Sequence, residues 1–290
     1  MAASRAWSAW VHPPRSLSRA ARFGRSPRGA PARASASRRA GTKHRRGDDE
    51  NDTSAAIEIE ARRAATRAAV ESAWREGGVL ANSPKDDVQR VVLGTIAVAR
   101  HYELLIEQQK THFAKYGQGD VLPDDHADPA WVASRLRMVS VMTGVAPKSV
   151  PDMVQQGGAE ILSLSANSIM RVVLELKALV PNGDVAHVVH LEPDLLIVGA
   201  KDLKTVAYGG RDAMAFLRSI KMPEPCVRLL ICEEPGLILG KGGVERLQQI
   251  RETAEEHGEN MRATCLALDD EGWLDVNAQR WFTNVFCGYY

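Results

Sequence analysis

The sequence lacks the features that define several protein classes. No apolar run reaches the roughly 20 residues of a membrane-spanning helix, so we predict no membrane span. The 290 residues include only four cysteines and no Cys-x-x-Cys pair, which excludes a disulfide scaffold. Aromatic residues amount to 6%, and alternation of apolar and polar residues is short wherever it occurs, so signals for strands are scarce.

The first 47 residues contain no acidic residue. They include 12 Lys or Arg, they are rich in Ala and Ser, and the first acids follow as Asp48-Asp49-Glu50. This composition is typical of an organelle transit peptide, which we predict for residues 1–47 as a disordered segment. The opening Met1-Ala2-Ala3-Ser4 favours the chloroplast over the mitochondrion as destination. The alternative is a basic tail that binds nucleic acid.

The remainder of the chain is acidic. Without residues 1–47, the protein has 25 basic and 36 acidic residues, a net charge of −11. Such a body repels a phosphate backbone unless its cations gather on one face. The net charge therefore restricts any nucleic-acid site to a local cluster.

Helix signals dominate the body, and we predict an all-α protein. Asp128-Pro129 offers an N-cap followed by proline at the first helical position, and Gly144 is a typical stop. Residues 48–143 are predicted to form an N-terminal helical region.

A pattern recurs three times after Gly144. Its anchor reads Ala159-Glu-Ile-Leu162, then Pro193-Asp-Leu-Leu196, then Pro235-Gly-Leu-Ile238. An amphipathic second helix follows each anchor, and extra residues around Tyr208-Gly209-Gly210 are predicted to precede the second helix of the middle repeat. Short helix pairs that bury their apolar sides by stacking form a solenoid, so we predict a helical-repeat solenoid over residues 144–258.

The C-terminal segment, residues 259–290, is rich in aromatic residues. Its last ten positions include Trp281, Phe282, Phe286, Tyr289 and Tyr290. We predict that this segment caps the end of the stack. The alternative is a patch that docks a partner, because Trp and Tyr are favoured at interfaces.

Over roughly residues 144–257, these repeats resemble those of the mitochondrial transcription termination factor (mTERF) family, which also occurs in plastids. The resemblance rests on the three anchors and on the aliphatic residues of the helices before them, such as Val150, Val185 and Val227. It implies helical repeats of about 30 residues in a curved solenoid. It also implies a basic concave face that binds nucleic acid in organelle gene expression. The departures from the family pattern are Ala159 in place of proline, the presence of only three clear repeats, and the acidic body.

Nine basic residues in or near the second helices are candidates for phosphate contacts. They are Arg171, Lys177, Lys204, Arg211, Arg218, Lys221, Lys241, Arg246 and Arg251. The alternative is a solvated helix surface in which glutamates such as Glu175 and Glu245 pair with these cations.

Motifs for catalysis or metal binding are lacking. No Gly-x-Ser-x-Gly and no recognisable Cys–His constellation occurs, and His187, His190, Cys226 and Cys232 do not match a zinc spacing. We therefore expect no enzyme, no metal and no cofactor.

Two functions remain. The first is a non-catalytic helical-repeat protein that binds organelle RNA or DNA in gene expression. The second is an organelle scaffold or assembly factor that binds a protein partner. The repeats favour the first, and the acidic body favours the second.

Overall fold

The structure is a computed structural model that describes residues 49–116, 122–158, 160–181, 183–264 and 274–288. The predicted transit peptide lies outside these residues. The chain divides into two units, Met1–Arg62 and Arg63–Tyr290. All regular secondary structure in the described residues is helical, which confirms the all-α prediction. No helix in these ranges has both the length and the apolar character that crossing a membrane requires.

Three long helices open the described chain. They are α1 (Asp49–Arg75), α2 (Lys85–Tyr116) and α3 (Pro129–Thr143). Helix α1 ends where Gly77 and Gly78 take positive φ angles of 73° and 78°, a conformation that favours glycine. In the second unit, Val70 and Trp74 of this helix are fully buried.

Helix α3 begins and ends where the sequence predicts. The carboxylate of Asp128 accepts hydrogen bonds from the backbone N–H groups of Ala130 and Trp131, and Pro129 takes the first helical position. Gly144 closes the helix with a φ of 79°. Local capping chemistry is sufficient to fix both ends of this helix.

Three sets of helices follow, each a short helix, a second short element and a longer helix. The first set is α4 (Val150–Gly157), α5 (Glu160–Ser163) and α6 (Ala166–Leu179); the second is α7 (Val185–Leu191), α8 (Asp194–Lys201) and α9 (Leu203–Ser219); the third is α10 (Glu224–Glu233), the 3-10 helix Pro235–Leu239 and α11 (Gly243–Glu256). Helices α12 (Gly258–Thr264) and α13 (Val276–Cys287) complete the described chain.

The two anchor prolines have the same surroundings in the second and third sets. Pro193 follows Glu192, and Pro235 follows Glu234; each glutamate ends the preceding helix, with φ, ψ of −135°, 75° and −126°, 63°. The second and third residues after each proline are buried: Leu195 and Leu196 after Pro193, and Leu237 and Ile238 after Pro235. Ala159, the corresponding residue of the first set, lies outside the described residues.

Several helices that occupy the same place in successive sets contact each other, and α3, which precedes the first set, contacts the longer helix of that set. Helix α3 packs on α6 and α6 packs on α9, while α4 contacts α7 and α7 contacts α10. Arg135 of α3 adds a polar link, because its Nε donates a hydrogen bond of 2.6 Å to the carbonyl of Leu162. Helix α13 packs on α10 and α11 and buries Phe282 and Phe286. One cluster of buried apolar side chains extends from Val70 to Phe286.

The expectation that extra residues precede the middle second helix is wrong. Helix α9 begins at Leu203, so Gly209 and Gly210 lie inside it. A Cβ atom at Gly209 would collide with the carbonyl oxygen of Ile238, and one at Gly210 would press on the side chain of Leu179. The two glycines therefore let neighbouring elements approach α9 closely. In the sequence alone, the same Gly-Gly pair looks like a break before the helix.

Candidate nucleic-acid interface

The structure distributes the nine candidate cations over three places. Arg171 and Lys177 lie on α6, Lys204, Arg211 and Arg218 lie on α9, and Lys221 follows α9 directly; Lys241, Arg246 and Arg251 belong to the third set. All of them are exposed except Arg246, which is partly buried.

The cations of α9 form a straight row. Lys204, Arg211 and Arg218 are seven residues apart, which is about two turns, so their side chains project from one side of the helix. Their exposure comes from this regular spacing. No insertion is needed to present these cations to solvent, because all three lie within the continuous helix α9.

Helix α6 packs beside α9 and adds its own cations. We call the exposed side chains of these two helices the α6–α9 face. The two helices together contain five basic residues and two acidic ones, Glu175 and Asp212. This excess of positive charge contrasts with the net −11 of residues 48–290 and with α11, which has two basic and four acidic residues.

Two arginines of the α6–α9 face have carboxylate partners. Arg211 Nη2 lies 3.7 Å from Glu175 Oε1. Arg218 donates two hydrogen bonds to the Glu224 carboxylate, from Nε at 2.9 Å and from Nη2 at 2.7 Å. The second pair lowers the pKa of Glu224 and raises that of Arg218. Exposed ion pairs contribute only about 0–1 kcal/mol, so an incoming phosphate can displace either carboxylate.

Four other candidates have no internal partner. Within the residues that the structure describes, Arg171, Lys177, Lys204 and Lys221 make no ion pair and no side-chain hydrogen bond. Their charges face solvent and are available to a ligand.

The three candidates of the third set contact neighbouring parts of the protein. Lys241 Nζ donates to Glu192 at 2.6 Å and to Asp194 at 2.8 Å, and although burial lowers its pKa, these hydrogen bonds raise it overall. Arg246 donates to Glu234 and to the carbonyl of Phe286. The Arg251 guanidinium lies 5.6 Å from the ring centroid of Phe216. Lys241 and Arg246 are thus paired with carboxylates of the protein, as expected for the alternative in which glutamates neutralise these cations.

An open concavity of about 530 Å³ adjoins the row on α9. Its lining combines the apolar residues Ala178, Leu179, Pro181 and Met214 with the charged residues Arg211, Arg218, Glu224 and Arg228. The sequence pattern did not indicate Arg228, because Arg228 lies on α10, the first helix of its set, whereas the candidate cations lie in or near the second helices.

An exposed aromatic residue interrupts the row, and it too was missed as a site residue. Tyr208 of α9 is 56% exposed, and the guanidinium carbon of Arg211 lies 5.9 Å from its ring centroid. The available signal was the Lys-x₃-Tyr-x₂-Arg spacing, which places all three residues on one side of a helix.

The other polar candidates form ordinary structural contacts. His187 Nε2 lies 3.5 Å from Glu233 Oε1, and the proximity of this carboxylate raises the pKa of His187. Cys226 and Cys232 are buried, and burial raises the pKa of Cys232 to about 12. The described ranges contain no group of three His, Cys, Asp or Glu residues that is arranged to hold a metal ion.

No family model, no curated protein and no solved structure matches this chain.

Proposed function

We propose that this protein is a non-catalytic nucleic-acid-binding protein of organelle gene expression, in the chloroplast or alternatively in the mitochondrion. The observation that carries this proposal is the row formed by Lys204, Arg211 and Arg218, which lies beside the cations of α6 in an otherwise acidic body. The acid-free N-terminus supports an organelle destination.

The proposal includes a helical-repeat architecture of the kind that the mTERF resemblance implies. Three sets of helices in the same order, two of them with a proline after the first helix, support it. The successive contacts α3–α6–α9 and α4–α7–α10 also support it, because each repeat of a solenoid packs on its neighbours.

Electrostatics explains why the α6–α9 face is the place for a phosphate backbone. Phosphate contacts release counterions and supply most of the sequence-independent affinity. Arginine also orients the phosphate, because its planar guanidinium binds a phosphate through two parallel hydrogen bonds. The acidic remainder of the body then confines the ligand to this face.

The test removes the row on α9 from the full chain. In the variant Lys204→Gln/Arg211→Gln/Arg218→Gln, we expect the slope of log affinity against log salt to decrease in magnitude by about 2 to 3, since each phosphate contact contributes about 0.7–0.9. Fluorescence anisotropy with short RNA and DNA oligonucleotides over a salt series measures this slope. Circular dichroism checks that the helices remain intact.

The matched control is Lys85→Gln/Arg90→Gln/Arg100→Gln, which removes three exposed cations from α2. It changes the net charge equally and keeps the basic N-terminal segment. We expect it to leave the slope close to that of the wild type. Equal losses in both variants, or no loss in either, would contradict the proposal.

A protein scaffold is the second candidate, and exposed apolar side chains favour it. On the α6–α9 face, Leu174 is 57% exposed and Met170 is 37% exposed. Apolar residues between charges are typical of protein interfaces. The scaffold becomes the better explanation if the full chain has no measurable affinity for nucleic acid at low salt.

A further inference from the structure

We infer that the α6–α9 face takes single-stranded nucleic acid, with an unpaired base stacked on Tyr208. This inference rests on the proposed function and specifies the type of strand. It depends on two features that a plain row of cations does not have: the exposed ring in that row and the partly apolar concavity beside it.

Tyr208 is placed between two cations of the row. Lys204 precedes it by four residues and Arg211 follows it by three, so each lies about one turn away on the same side of α9. The residue is 56% exposed, so its ring is accessible to a ligand. The glycines that follow it provide the close contacts to Ile238 and Leu179, so the packing of α9 in this stretch does not depend on the tyrosine ring.

An aromatic ring between cations fits a single strand. Proteins that bind single strands combine a positive surface along the backbone with aromatic side chains on which bases stack. On α9, successive cations of the row are about 10 Å apart along the helix axis. Because Lys and Arg have long side chains, Lys204 and Arg211 can reach from both directions toward the phosphates that flank a base stacked on Tyr208.

The concavity offers a second place for an unpaired base. Ala178 and Pro181 give it exposed apolar surface, while Arg211, Arg218 and Arg228 supply guanidinium planes and positive charge. Its volume of about 530 Å³ falls within the range of small-molecule sites, about 300–1,000 Å³. Bases of a duplex are paired and stacked on each other, so only a strand with free bases can use both the ring and the concavity.

The experiment compares full-chain wild type with Tyr208→Ala and Tyr208→Phe. The probes are short single strands of RNA and of DNA with the same sequence, and the corresponding duplex. We expect Tyr208→Ala to lower the affinity for both single strands about 5- to 100-fold, because every base can stack on the ring. Tyr208→Phe retains the ring and should bind like the wild type. The affinity for the duplex should not change with Tyr208→Ala.

Phe113→Ala is the control, because Phe113 is a similarly exposed aromatic residue, at 49%, on α2. It should leave all affinities unchanged. If Tyr208→Ala binds single strands like the wild type while the triple cation variant is impaired, the inference fails and the proposed function stands. Equal losses in Tyr208→Ala and Phe113→Ala, or an equal loss for duplex and single strand, would also overturn the inference. If neither probe type binds the wild type at low salt, the proposed function fails with it.

Discussion

Two carboxylates pair with arginines of the α6–α9 face and neutralise part of its positive charge. Glu224 accepts two hydrogen bonds from Arg218, and Glu175 lies beside Arg211. A phosphate must therefore compete with these glutamates for the same guanidinium groups. The competition is mild, because exposed pairs of this kind contribute about 0–1 kcal/mol.

Glu224→Gln should strengthen nucleic-acid binding. The change removes a negative charge beside the concavity and releases Arg218 from a charged partner. We expect the affinity for a short single strand to rise about 2- to 5-fold at low salt, as follows from an ion pair of this strength. Fluorescence anisotropy measures the change.

Glu103→Gln is the control for Glu224→Gln, since it removes the same charge from the exposed side of α2. It should have a smaller effect than Glu224→Gln. Equal effects of the two variants would mean that only the net charge matters. Weaker binding by Glu224→Gln would show that the Arg218–Glu224 pair maintains the conformation of the site.

Helix α9 is the element on which the candidate site depends. It contributes the three cations of the row and Tyr208, and it packs on α6, α8, α10 and the 3-10 helix Pro235–Leu239. The 3-10 helix comes so close that only glycine fits at position 209. The position of the row is therefore set by contacts from outside the helix.

Gly209→Ala should destabilise the protein. Inside a helix, this exchange normally stabilises by about 0.5–1 kcal/mol, because glycine loses more backbone entropy on folding. Here the added methyl group meets the carbonyl of Ile238, so we expect a loss of about 1–3 kcal/mol, as for overpacked cores. Urea denaturation followed by circular dichroism measures the free energy of unfolding.

Gly258→Ala is the control, because a Cβ atom at Gly258, the first residue of α12, meets nothing within 4 Å. It should be neutral or stabilising. A gain in stability in Gly209→Ala as well would contradict the close approach of the 3-10 helix to α9.

Elements with local signals could be predicted from the sequence, and those with tertiary causes could not. Helix α3 has its cap Asp128 and its stop Gly144 within its own segment, so both ends were predictable. Helix α9 was predicted too short, because Gly209 and Gly210 look like a break when the elements that crowd them are not known.

The difference between local signals and tertiary contacts also determines which residues of the candidate site could be predicted from the sequence. The spacing of Lys204, Arg211 and Arg218 was visible in the sequence, and the structure places them on one helix side. The partners of Lys241 were not visible, because Glu192 and Asp194 lie 49 and 47 residues away in the chain. Charge alone could therefore not separate cations that face solvent from those that bind neighbouring elements.

Positive charge is concentrated in two parts of the whole chain. One is the acid-free segment 1–47 with its 12 basic residues, and the other is the α6–α9 face. Both attract phosphate, so affinity alone does not show which of them holds a ligand. The position of the bound strand on the full chain decides between them.

Ultraviolet cross-linking of the full chain to a short single strand at low salt, with the cross-linked peptides identified by mass spectrometry, tests the central claim most directly. A base in contact with Tyr208 or with the concavity should yield cross-links in α6, in α9 and at the start of α10. Cross-links in these helices are the result we predict. Cross-links confined to residues 1–47 would contradict it, because the nucleic-acid site would then be the basic segment and not the α6–α9 face.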